Sequence, residues 1–141
     1  MKRLALLLSI TLSITIWSPM TARARTPLRT ACRFQHMDGH DGWNVTEVKR
    51  TIRCAVNRWP VPGGLDHAMY IADRESNFQQ YATNPSGCRG IYQWLDSTWA
   101  SVLDDFPRLY ATASHNVYNA RSNVMYAIRY ANLRGWGPWG G

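Results

Sequence analysis

From Asn44 to Leu133 apolar residues recur at steps of three and four, and the recurrence is interrupted at WPVPGG, at NPSGCRG and at Pro107. This punctuation constrains the chain more than any other feature. A period near 3.6 commits each stretch to a helix with one buried face, and each Pro/Gly break forces the next helix to set off in a new direction. The first stretch puts Val45, Val48, Ile52, Ala55, Val56 and Trp59 on one face, with Asn44 and Glu47 spaced as a capping box. The second carries Leu65, Ala68, Met69 and Ala72, and the next step of three lands on Glu75. Asp96 is expected to cap a third helix bearing Trp99, Val102, Leu103 and Phe106. A fourth runs from Ala120 to Leu133 with Val124, Ala127, Ile128 and Ala131 inward, after which RGWGPWGG closes the chain in turns. The expectation is one compact, mainly α domain over residues 44–141 with little or no sheet.

The residues before Asn44 read differently. MKR precedes an apolar run from Leu4 to Trp17, and the small-residue site Ala22-Arg23-Ala24 follows, the layout of a cleaved export signal over residues 1–24. The run is shorter than the roughly 20 residues that span a bilayer and is diluted by Ser and Thr, so no stable membrane insertion is expected after cleavage. Residues 25–43 show no apolar period and form an irregular arm. Within it, His36, His40, Asp38 and Asp41 lack a ligand spacing of any specific kind, and no metal or other cofactor is expected.

Apolar residues make up 45% of the 141 and aromatics 12%, enough for one real core. Losing residues 1–24 would remove Lys2, Arg3 and Arg23 from the 16 basic side chains and none of the 9 acidic ones, so the remainder stays mildly basic. Its arginines are scattered, which argues against nucleic-acid recognition and for loose attraction to an anionic polymer outside the cell. A monomer is expected.

Glutamate occurs only twice. Glu47 has an ordinary place at a helix start, where its charge meets the positive end of the helix dipole. Glu75 stands at the end of a core-facing stripe, where a carboxyl group loses hydration, a change that disfavours its charged form and suits it to donate a proton. A surface glutamate at a fraying helix end has the same address, so the surrounding residues must decide. Asp66 and Asp73 lie on a face without apolar periodicity and are expected to be hydrated.

Those surroundings are distinctive. Glu75-Ser76-Asn77-Phe78, followed by A-x-N-P-S-G-x-x-G-I-Y-Q from Ala82 to Gln93, resembles the E-S-x-F and S-P-x-G-x-x-G-L-M-Q pattern of the soluble lytic transglycosylase-like family. NVMYAIRYA from Asn123 is similar to that family's later N-I-x-x-G-x-x-Y-L helix, with Ala127 at the glycine and Tyr130 at the tyrosine. The resemblance implies a lysozyme-like fold, an extracytoplasmic bacterial cell-wall location, and cleavage of the β-1,4 bond between N-acetylmuramic acid and N-acetylglucosamine in the peptidoglycan glycan strand. It makes Glu75 the catalytic acid, later the base, with Ser76, Gln93 and Tyr130 lining the cleft. Tyr130 can hydrogen-bond the Glu75 carboxyl, Gln93 offers amide groups to N-acetyl substituents, and Ser76 can donate to a sugar or a backbone oxygen.

Two departures accompany it. The family's A-Y-N-x-G segment is missing, and GWGPWGG stands in its place, with Trp136 and Trp139 suited either to stack on sugars or to pin the terminus. Gln93 to Trp99, QWLDSTW, is also similar to a stretch of the resuscitation-promoting factors. Most glycosidases need a second carboxylate, and Asp96 is the nearest in sequence, which would suit a muramidase that hydrolyses. An intramolecular attack by the muramyl 6-hydroxyl needs only one acid. A non-catalytic wall-binding protein is the reading outside enzymes. Finally, Cys32, Cys54 and Cys88 allow one of three bridges. Cys54–Cys88 is the pairing expected, since it would tie the glycine loop after Glu75 to the preceding helix, leaving Cys32 over.

Overall fold

The computed structural model describes residues 32, 42–107, 109 and 114–140. The segment read as an export signal and, within the arm, His36, Asp38, His40 and Asp41 lie outside the described residues. The elements are α1 (Val45–Arg58), α2 (Gly64–Ser76), α3 (Asp96–Asp105), α4 (Ala120–Arg134) and a 3-10 turn at Gly137–Trp139. Among the described residues there is no strand, only two isolated antiparallel bridges, Thr83 with Arg89 and Arg89 with Trp94.

Each helix boundary has a local cause. The Asn44 side chain accepts from the Glu47 amide at 3.1 Å while Glu47 accepts from the Asn44 amide at 2.8 Å, the reciprocal capping box expected from the sequence. Two consecutive left-handed residues, Asn77 and Phe78, stop α2. α3 ends at Asp105 just before Pro107, whose ring excludes a helical conformation for the preceding residue. Its start differs from expectation. Leu95 occupies the cap position with no side-chain hydrogen bond, and Asp96 is the first helical residue, where its charge faces the dipole without capping an amide.

α1 lies against α4 and α2, and α3 packs on α4. α4 is therefore the centre of the molecule, and it is buried around its whole circumference from Ala120 to Ile128, more than the single apolar stripe suggested. Three polar residues share that burial. Asn123 accepts from the Tyr92 amide at 2.9 Å and donates to Val117 O at 2.7 Å, and the Ser122 hydroxyl accepts from the Ser114 amide. Buried polar groups persist when such partners offset their lost hydration.

The bridge joins Cys32 to Cys54, with their Cα atoms 5.6 Å apart, and Cys88 is free. This corrects the Cys54–Cys88 pairing. The loop around Cys88 needs no such tie, because Asn84 closes it: its side-chain oxygen accepts from the amides of Ser86 and Cys88, both at 3.0 Å, and its own amide donates to Cys88 O. The disulfide instead fastens the chain before the domain to α1.

Candidate active site

α2 delivers Glu75 in its last turn, and the left-handed pair Asn77–Phe78 then turns the chain back beneath it. The segment from Gly90 to Gln93 is held against this helix end from several directions. The Ser76 hydroxyl lies 2.7 Å from Ile91 O and 3.1 Å from Ala72 O. Asn123 takes the Tyr92 amide, the Tyr92 phenol donates to Ala68 O at 3.0 Å, and the Trp139 indole donates to Tyr92 O at 2.7 Å. Tyr92 is completely buried, and burial pushes its phenol far above the usual tyrosine range.

Gly90 makes this arrangement possible. Its φ is +75°, and a Cβ there would lie 2.2 Å from Asn123 Nδ2 and 2.9 Å from Val117 O, so only glycine lets the chain pass so close to α4. Gln93 also has positive φ, and its amide nitrogen donates to Gly90 O at 2.9 Å and Ala82 O at 3.1 Å. Its amide nitrogen thus holds the loop's own backbone.

Glu75 is partly enclosed, with its side chain 23% exposed. Its hydrogen bonds come from Arg74, whose Nη2 and Nε lie 2.6 and 3.1 Å from Oε1. Arg74 Nη2 also donates to the Trp139 carbonyl. The closing segment thereby reaches the acid. Trp136 and Trp139 are buried, at 4% and 6% exposure, so they pin the terminus and do not offer open faces to sugars. Tyr130 enters the same cluster through its ring, 5.9 Å from Trp139 and 6.2 Å from Trp94 between centroids, both edge to face.

The structure sets Ser76 beside Glu75 at the end of α2, with its hydroxyl on Ile91 O, and Gln93 two residues further along that segment; Tyr130 packs its ring against Trp139, and among the described residues the hydrogen bond expected from Tyr130 to the Glu75 carboxyl is not formed. Asp96 is turned to solvent, 65% exposed, in an ion pair with Arg89 at 3.0 Å. Asp66 and Asp73 are exposed, as their helix face requires. Among the described residues no cluster of three or more His, Cys, Asp or Glu could hold a metal ion. Sequence reasoning missed Arg74, Asn123 and the Trp139 carbonyl. Helical neighbours such as Arg74 and Glu75 do not ordinarily face each other, and a backbone carbonyl has no signature in side-chain spacing.

The sequence model of the transglycosylase SLT domain matches residues 64–134, half of the chain, and the protein belongs to that family. The "Probable transglycosylase SceD" of Staphylococcus aureus strains RF122 / ET3-1 and MRSA252 is 42% identical over 77 residues, covering 52% of this chain and 31% of the relative. The protein of the same name from strain Newman is 41% identical over 76 residues, with the same coverage. This chain thus spans less than a third of the length of these relatives. No solved structure matches it.

Proposed function

We propose that the protein is a peptidoglycan lytic transglycosylase that cleaves the β-1,4 bond between N-acetylmuramic acid and N-acetylglucosamine, with Glu75 as general acid and then general base. Membership of the transglycosylase SLT domain family supports the reaction class, and the position of Glu75 supports its role. The single observation that carries the reading is a half-enclosed carboxylate whose Oε2 accepts no hydrogen bond among the described residues, fixed where the family motif and the Gly90–Gln93 loop converge.

The proton of the Glu75 carboxyl passes to the glycosidic oxygen as the C1–O bond breaks and its electron pair stays with the departing sugar. The carboxylate left behind then takes the proton of the muramyl 6-hydroxyl as that oxygen bonds to C1. A 1,6-anhydromuramyl end forms, no water is consumed, and Glu75 regains its proton. The exposure of Asp96 and its pairing with Arg89 favour this one-carboxylate scheme over hydrolysis. Ser76 and Gln93 shape the cleft wall, and Tyr130 backs it through Trp139. Residues 1–24 serve as the export signal that brings the domain to the cell wall.

The test is Glu75→Gln, which keeps size and cannot donate the proton. Turnover of purified cell walls should fall by at least about a hundredfold with an unchanged circular-dichroism spectrum. A variant that cleaves at the wild-type rate would remove Glu75 from the mechanism.

A further inference from the structure

We propose that Arg74 is a positioning residue for the Glu75 carboxylate: anchored on the backbone carbonyl of Trp139, its guanidinium holds Oε1 and leaves Oε2 as the oxygen that carries the proton. The inference rests on the reading of Glu75 as acid and base.

Three features support it. Adjacent side chains on a helix diverge, so the meeting of Arg74 and Glu75 needs a further restraint, and the Trp139 carbonyl supplies one from 65 residues away. That carbonyl is itself fixed, since the Trp139 indole donates to Tyr92 O and its ring lies edge-on to those of Trp94 and Tyr130. Moreover, both Arg74 nitrogens donate to the same carboxylate oxygen. An arginine fork commonly engages both oxygens of a carboxylate. Here it takes one, and among the described residues nothing donates to Oε2. The two oxygens are thereby made unequal before any substrate arrives. The closing GWGPWGG segment then has a defined task, which is to hold the arginine that aims the acid.

Steady-state kinetics on soluble peptidoglycan fragments test this with the full chain. Arg74→Ala should lower kcat by about 10- to 100-fold, the scale of losses from slight misplacement of a reacting group, with KM changed less than about threefold and an unchanged melting temperature. Arg74→Lys should recover part of the loss and Arg74→Gln none. Trp139→Phe, which keeps the carbonyl but removes the indole N–H that donates to Tyr92 O, should lower kcat in the same direction. The double variant Arg74→Ala/Trp139→Phe should be no slower than the slower single one, since the two act through one contact. Wild-type kcat in Arg74→Ala, multiplicative losses in the double variant, or a loss that vanishes once the folded fraction is corrected would each overturn the proposal. If Arg74→Ala does not fold, the ranking of Lys above Gln among the folded variants decides, and equal rates for those two and the wild type count against it. An inactive wild type would instead remove the underlying assignment, an outcome distinct from an active wild type matched by its Arg74 variants.

Discussion

Replacing Gly90 by alanine should destabilise the protein far more than the same change at Gly87, although both glycines lie in one loop with positive φ, +75° and +83°. Holding alanine in a left-handed conformation costs roughly 1–2 kcal/mol, and at Gly87 that is the whole effect, because nothing lies within 4 Å of the added methyl. At Gly90 the methyl would sit 2.2 Å from Asn123 Nδ2 and 2.9 Å from Val117 O, the two partners of a buried 2.7 Å hydrogen bond. Asn123 must move, and parting a buried donor from its acceptor costs a further ~1–3 kcal/mol. Its side-chain oxygen would also be dragged off the Tyr92 amide. The difference between the two variants should therefore be about 2 kcal/mol or more, equivalent to roughly 10 °C in Tm for a domain of this size. Thermal unfolding followed by circular dichroism at neutral pH measures it. Equal melting temperatures for Gly87→Ala and Gly90→Ala would refute the claim that Asn123 and the glycine loop are locked together.

Non-reducing peptide mapping should recover Cys32 and Cys54 in one linked fragment, with Cys88 alkylated without prior reduction; closing a loop of sequence separation 22 should contribute about 3 kcal/mol, lost in Cys32→Ser. Alkaline pH gives a further check on the Tyr92 phenol, whose burial raises it above its ordinary value. From about pH 10 upward the unfolded chain releases that proton while the folded chain retains it, so stability should fall as pH rises, by up to about 1.4 kcal/mol per unit. Tyr92→Phe should flatten that decline at the expense of the bond to Ala68 O, and an unchanged alkaline slope would contradict the assignment.

The helices were legible because each announces itself locally. Asn44 and Glu47 spell out a capping box, Pro107 stops α3, and threes and fours mark the buried faces. Glu75 stands out as a candidate because it continues the stripe of Ala68 and Ala72 and also opens the E-S-x-F pattern. What the sequence hides is long-range. Asn123 reads as an ordinary polar residue on a helix, yet it is fully buried because Gly90, 33 positions earlier, brings the loop against it. Gln93 looks like a ligand-binding amide, but the positive φ of its backbone turns its nitrogen towards Gly90 O and Ala82 O. The disulfide was misread because three cysteines permit three pairings, and the capacity of Asn84 to close the loop around Cys88 outweighed the need for a covalent tie. Trp136 and Trp139 could equally have faced sugars or the core, and only the three-dimensional packing separates the two.

The ends of the cut glycan report most directly on whether Glu75 acts alone. Purified peptidoglycan digested with the wild-type protein and analysed by mass spectrometry should yield 1,6-anhydromuramyl ends, each lighter by one water than a hydrolysed end, and Glu75→Gln should yield neither. Reducing muramyl ends alone would contradict a mechanism in which Glu75 acts without a second carboxylate, and would bring Asp96 back as its partner.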